Sequence, residues 1–181
     1  MARALHALGT IRELSRSEQA LHRDHLLRLD LEGRRDRFNG VADDRFITQY
    51  SERCFAGRTR VFALVDRTGA VRGTAELHPP TGGEPADIAF SVEPDLRRQG
   101  IATRLFEAVI AAAQAMRIRQ LRITSTADNL AMRALARKFG ARFIFEHGEA
   151  TGLLAVEQAD SRSSAPSPQR GETQLTAASS S

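Results

Sequence analysis

The feature that most constrains this chain is a change of hydrophobic period between Asp87 and Phe106. From Asp87 to Val92 the side chains alternate. Asp87, Ala89 and Ser91 share one face and Ile88, Phe90 and Val92 the other, the two-residue period of a strand. Pro94 ends that strand because it has no N–H to give a ladder. After Gly100, the residues Ile101, Leu105, Ala108, Val109 and Ala112 recur at helical spacing. Between strand and helix lies a basic turn, Arg97-Arg98-Gln99-Gly100-Ile101-Ala102. A helix that starts there offers unpaired N–H groups and the positive end of its dipole to an anion. Gly100 and Ala102 lack the bulk that would hold a diphosphate off the backbone. Thr103 adds a hydroxyl, and Arg97 and Arg98 add charge. A tight turn with solvated arginines satisfies the same six residues, so the hexapeptide by itself leaves both readings open.

A second block removes much of that freedom. Arg97-x-x-Gly100-x-Ala102 after an extended segment is similar to the acyl-CoA diphosphate loop of the GNAT (general N-acetyltransferase) superfamily. Asn129, followed by a short amphipathic segment and Gly140, resembles that family's second signature, in the same order along the chain. The resemblance covers about residues 10–157. The segment from Leu21 to Phe55 also resembles the opening helices of GNAT domains in bacterial protein-lysine acetyltransferases, through Leu26-Leu27-Arg28-Leu29 and Arg35-x-Arg37-Phe38.

The resemblance implies an α/β fold of GNAT type, a mixed and mostly antiparallel central sheet with helices on both faces. It implies acetyl-CoA as co-substrate and transfer of the acetyl group to a primary amine by direct attack in a ternary complex. The pantetheine arm would add to the organising strand through the backbone of Phe90, Ser91 and Val92. The diphosphate would rest on the amides of Gln99, Gly100, Ile101, Ala102 and Thr103, and Asn129 would contact the cofactor arm. Asp87 is the first candidate for the general base, with Glu84 and Glu76 behind it. A solvated strand-edge carboxylate is the plain alternative for Asp87. The chain departs from the family at Ala136, where many members carry a tyrosine that faces the departing thiolate. Water, Ser125 or another group then has to protonate the sulfur. The same departure opens a second function, an acyl-CoA-binding regulatory sensor with little turnover.

Length and composition narrow the classes further. A chain of 181 residues forms one domain with a sizeable core. The 41% apolar and 27% charged residues are those of a soluble globular protein. No apolar run approaches the roughly 18 residues of a membrane span, and the first nine residues have no secretory pattern. Cys54 is the single cysteine, which excludes an internal disulfide and fits the cytoplasm. The net charge is +4, and Lys138 is the lone lysine among scattered arginines. Without a basic stripe or interleaved aromatics, neither nucleic acid nor a membrane is expected as partner. The acceptor is instead a small molecule or protein that carries an amine. His22 and His25 have no third ligand beside them, so no metal site is expected and they read as surface or partly packed histidines. Cys54 reads as a small apolar helix residue, His78 as a loop residue without a role, and Arg34 to Arg37 as a solvated connector or cleft rim.

The patterning gives a strand at Thr10–Leu14 and a helix capped by Ser17. A second helix follows from Asp43 or Asp44, then strands at 60–66 and 71–77 about an Asp66–Gly69 turn. The organising strand begins near Pro85. A helix to about Met116, a strand at Leu121–Ser125, a helix capped by Asp128 and ended by Gly140, and a closing hairpin complete the domain. Residues 1–9 form an extension, the domain covers 10–157, and the Ser/Pro/Ala-rich tail 158–181 is expected to be disordered.

Overall fold

The computed structural model describes residues 8–80, 82 and 85–158. The candidate base Glu84, most of the expected extension and the tail after Gln158 lie outside the described residues.

The chain runs through β1 (Thr10–Glu13), then α1 (Gln19–Leu27), α2 (Leu31–Phe38) and α3 (Asp44–Ala56). There follow β2 (Arg60–Val65), β3 (Val71–His78), β4 (Ala86–Val92), α4 (Ile101–Ala115), β5 (Gln120–Thr126), α5 (Leu130–Lys138), β6 (Arg142–Glu146) and β7 (Glu149–Ala155). The strands form one seven-stranded sheet in the order β1-β2-β3-β4-β5-β7-β6. Every pairing is antiparallel except β4 with β5.

Alternation along the strands sorts the core into two layers. Phe62, Leu64, Ala75, Leu77, Ile88 and Phe90 pack with Ile101, Leu105, Phe106 and Val109 of α4. Val61, Ala63 and Val71 turn to the opposite face, where Leu21 and Phe55 of α1 and α3 cover them. Phe90, Phe106 and Phe139 stack in series at 5.0 and 4.3 Å, tying β4 to α4 and α5. The outermost hairpin closes through His147 and Gly148, both at positive φ (50° and 83°), the geometry a two-residue turn demands.

Three local expectations change. Residues 31–38 are a helix rather than a connector, because Asp30 caps it by accepting from the Gly33 N–H (2.9 Å) and Asn39 ends it at φ 52°. Ser15, not Ser17, opens the first helical stretch; its N–H donates to Glu18 (2.9 Å) over a short 3₁₀ turn. Asn129, not Asp128, caps α5, its Oδ1 accepting from the Met132 N–H at 2.9 Å. Asp128 points instead to Arg35 of α2, 3.2 Å away.

Candidate active site

The site starts where β4 and β5 part. Their parallel pairing is confined to Ala86–Asp87 against Leu121–Arg122, although β4 continues to Val92 and β5 to Thr126. The bond from the Glu93 N–H to the Arg72 carbonyl (3.1 Å) sets the phase of the β3–β4 ladder. Ser91 therefore spends its backbone groups on Thr74 of β3, while those of Phe90 and Val92 point toward the gap. Only two of the three expected residues thus offer backbone to an added strand. The Val92 carbonyl is further taken by Arg97 Nε at 3.2 Å.

The gap opens into a cleft of about 480 Å³. Phe90, Ser91 and Val92 line one wall, Arg97, Arg98 and Gly100 to Thr103 the mouth, and Asn129, Met132 and Leu135 of α5 the far side. Leu29, Glu32, Gly33, Asp36 and Arg37 line it from α2 and its approach. Arg98 and Gly100 sit at φ 62° and 80°, which turns the chain sharply into α4. Among the described residues, none accepts a hydrogen bond from the amides of Arg98 through Thr103. Six consecutive N–H groups at a helix start therefore remain for an outside anion. Gln99 lies outside the cleft lining, and its side chain turns back to the Asp95 carbonyl (3.0 Å).

The two arginines of the turn do different work. Arg97 lines the cleft, but its guanidinium is held by Asp30 (2.8 Å), with Glu32 3.7 Å away. Gly33 permits that approach, since a Cβ there would stand 2.7 Å from both Arg97 Nη2 and Asp30 Oδ1. Arg98 is exposed and free of protein partners among the described residues, so it is the charge left for a ligand. The expectation of two phosphate-facing arginines becomes one.

The candidate bases divide by their surroundings. Asp87 lies where β4 and β5 are still paired, and Arg122 Nε and Nη2 hold its two oxygens at 2.6 and 2.8 Å. Its side chain is 50% exposed and outside the cleft lining. Glu76 is fully buried at the centre of a hub. It accepts from Arg37 Nη2 (2.6 Å) and the Tyr50 hydroxyl, and contacts His22 Nε2 (2.9 Å) and His78 Nε2 (3.0 Å). Burial alone would raise its pKa, but Arg37, His22 and His78 together hold it well below the usual carboxylate range. A carboxylate so supplied with donors makes a weak base.

The hub corrects several sequence expectations. His22 and His25 are buried rather than at the surface. His78 ends β3 and bridges Glu76 and Thr59 Oγ1 (3.0 Å). Arg37 is a core residue, 6% exposed, between the rings of Phe38 and Tyr50 (4.8 and 5.0 Å to the centroids). Burial and then Glu76 push the Tyr50 hydroxyl far above its ordinary value, so it is no ready proton donor. Burial first and Glu76 second push the Cys54 thiol up to about 12, which keeps it a neutral packing group. Ala136 is sealed in the core, and the Ser125 hydroxyl is buried without a hydrogen-bond partner among the described residues. Among the described residues no group of His, Cys, Asp and Glu could hold a metal ion, and no helix is long and apolar enough to cross a membrane.

A second polar hub forms around Glu93, which accepts from Arg72 Nε (2.6 Å) and Arg28 Nε (3.0 Å) and lies 3.2 Å from His25 Nδ1. Burial opposes ionisation, yet His25, Arg72 and Arg28 hold Glu93 at about 2. Burial, outweighing Glu93, lowers the pKa of His25. All three groups shift below their unfolded values, so the unfolded chain binds more protons in acid. Stability is expected to be level near pH 7–8 and to decline once pH falls below the unfolded histidine value of about 6.5. It then drops steeply below the unfolded glutamate value of about 4.3. Urea unfolding as a function of pH measures this. Glu93→Gln should flatten the acid limb, and a stability unchanged from pH 7 to 3 would contradict the assignment.

The comparisons agree with this architecture. A family profile, the Acetyltransferase (GNAT) family, matches residues 24–141. The GNAT domain of PAT from S. lividans superposes with a TM-score of 0.72 at 17% identity, covering 80% of this chain and 89% of that one. An acetyltransferase of the GNAT family from Streptococcus pneumoniae gives 0.67 at 16% identity over 82% and 99%. A GNAT superfamily phosphinothricin acetyltransferase from Sinorhizobium meliloti, in complex with AcCoA, gives 0.62 at 16% identity over 91% and 95%. No curated protein sequence matches the chain. At these identities the neighbours establish the fold, and the profile, which spans more than half of the chain, establishes the family. With its parted β4 and β5 and its open turn of amides before α4, this chain is a member of the acetyltransferase (GNAT) family.

Proposed function

We propose that this protein transfers an acetyl group from acetyl-CoA to a primary amine by direct attack, with both substrates bound at once. The observation that carries the proposal is the run of amides from Arg98 to Thr103 with no partner among the described residues, at the mouth of a cleft that leads to the open edge of β4. Those amides and the Arg98 side chain would hold the diphosphate. The Phe90 backbone and the Val92 N–H would hold the extended arm by strand addition. Asn129, which lines the far wall beside the arm's path, keeps its NH2 group available because only its Oδ1 is used in capping. Acetyl-CoA supplies an activated thioester. The protein's part is to orient it, to exclude water, and to take a proton from the amine.

Direct transfer is supported by the lack of a thiol among the described residues that line the cleft, Cys54 being buried elsewhere and neutral. That buried thiol also suits a reducing cytoplasm. The acceptor is a small molecule or protein bearing an amine, not nucleic acid.

The test is thiol release from acetyl-CoA over a panel of spermidine, free lysine and a lysine-containing peptide. Amine-dependent release is the expected result. Tight binding of acetyl-CoA without release for any amine would overturn the enzyme in favour of a sensor, a reading that the sealed Ala136 keeps in play.

A further inference from the structure

We propose that β6 is a dimerisation edge, pairing antiparallel with β6 of a second copy of this chain about a two-fold axis through Ile144. The sheet order leaves β6 outermost, bonded to β7 alone among the described residues. Its register with β7 runs unbroken from Arg142 to Glu146, with no proline or bulge to blunt the edge. Ile144 and Phe145 are 57% and 47% exposed there. Three consecutive strand formers, Phe143-Ile144-Phe145, on an open edge are a template for another strand. The opposite edge, β1, has its charges committed, Arg12 to Glu18 and Glu13 to Arg60.

The hydrogen-bond phase fixes which groups are available. The Ala127 N–H donates to the Gly148 carbonyl (2.8 Å) and the Val156 N–H to the Arg119 carbonyl (2.9 Å). Even-numbered residues of this stretch therefore bond toward β5, and Glu149, Thr151 and Leu153 bond toward β6. Their partners Glu146, Ile144 and Arg142 are spent on that ladder, so the N–H and C=O groups of Phe143 and Phe145 point outward. Setting Phe143 opposite Phe145 of the second copy engages both residues of both copies and places the two Ile144 side by side on the axis. A slip either way wastes a pair. It sets Phe145 against Ala141, whose N–H already goes to Ala136 (3.1 Å), or Phe143 against His147 in the turn.

The charges fit the same register. Across the hairpin Glu146 faces Glu149, like charges in direct opposition, while Arg142 faces Leu153. None of these three charged groups has an ion-pair partner among the described residues. The two-fold brings Arg142 of each copy opposite Glu146 of the other, one ion pair at each end of the joined strands. These pairs and the Ile144 contact share one face of the sheet, and the phenylalanines share the other. Phe143 and Phe145 already stack at 6.2 Å, beneath the guanidiniums of Arg137 and Arg133 (5.6 and 4.7 Å to the centroids). A contact of this symmetry closes at two copies and joins two sheets into one. It lies outside the cleft lining and does not depend on the acetyl-transfer reading.

Sedimentation equilibrium of the full chain over about 1–200 µM should show a monomer–dimer equilibrium. Ile144→Lys sets two ammonium groups together on the axis and should weaken dimerisation at least ~100-fold. Arg142→Glu and Glu146→Arg should each weaken it at least ~10-fold. Combined, they rebuild both ion pairs with the signs exchanged and should bring the dimer back to within about threefold of wild type. Unchanged far-UV circular dichroism in each variant shows that the fold is intact. Ile144→Cys should give a disulfide-linked dimer on mild oxidation, because opposed residues in such a pair stand within disulfide reach and Cys54 is buried. A wild type that stays monomeric to about 200 µM overturns the proposal. So does a dimer that survives Ile144→Lys, a charge exchange that fails to rescue, or assembly that grows past two copies. Capture of an extended peptide by a monomeric wild type would give the edge to a different partner and overturn it as well.

Discussion

Gly100→Glu is expected to weaken acetyl-CoA binding about a thousandfold, with an unfolding free energy lowered by no more than about 1–2 kcal/mol. Gly100 sits at φ 80° and ψ 4°, where a side chain strains the backbone, and it precedes the first helical amides of α4. A carboxylate placed there would be drawn to those same amides and would repel the diphosphate they are free to bind. Two lost charge-assisted hydrogen bonds at about 1.5–3 kcal/mol each are enough for three decades of affinity. Gly100→Ala separates the causes, because it adds the strain without the charge and should lose about tenfold. Calorimetry with acetyl-CoA reads both. An unchanged affinity in Gly100→Glu would remove the diphosphate cradle from this turn, and with it the main support for the proposed activity.

Glu76→Ala is expected to cost about 3–5 kcal/mol of stability, because it strands the buried Arg37 without its counter-charge. The Arg37 side chain is only 6% exposed and packs between Phe38 and Tyr50, so its charge depends mainly on Glu76. His22 and His78 lose their shared acceptor in the same step. In a domain of this size the melting temperature should fall by on the order of 10 °C. Glu76→Gln, which keeps acceptor geometry but not charge, should cost less. The paired replacement Glu76→Leu with Arg37→Met should recover most of the loss, since a buried ion pair contributes little against well-packed apolar groups. A Glu76→Ala variant within about 1 kcal/mol of wild type would mean that the hub does not hold α2 and α3 to the sheet.

The elements legible in the sequence were those whose pattern is local. β4, the turn and α4 follow from a switch of period at Pro94 and Gly100, and the observed bounds, Ala86–Val92 and Ile101–Ala115, lie within a residue or so of it. Helix α2 was missed because Leu31-Glu32-Gly33-Arg34-Arg35-Asp36-Arg37-Phe38 has no apolar stripe. Its stability comes from an Asp30 cap, an Asn39 terminator and the pairing of Arg34 with Asp44 and Arg37 with Glu76. The Asp30–Gly33 spacing was the one available signal for its start. The polar hubs were unreadable for a related reason. His22 and Glu76 are 54 positions apart, Arg37 and Glu76 39, and His25 and Glu93 68. Charged residues read as solvated by default, and only the tertiary contact turns one into core.

The sequence by itself determined the parts that short-range physics controls: alternation that makes a strand, helical spacing that makes a helix, and a glycine where the backbone must turn with positive φ between them. What only the tertiary structure decided is which groups remain unsatisfied once the chain is packed. It left the amides after Arg97 without partners among the described residues and closed Glu76 and Asp87 with arginines from distant elements. Satisfaction of a polar group depends on every neighbour in space, whereas the order of residues specifies only neighbours along the chain.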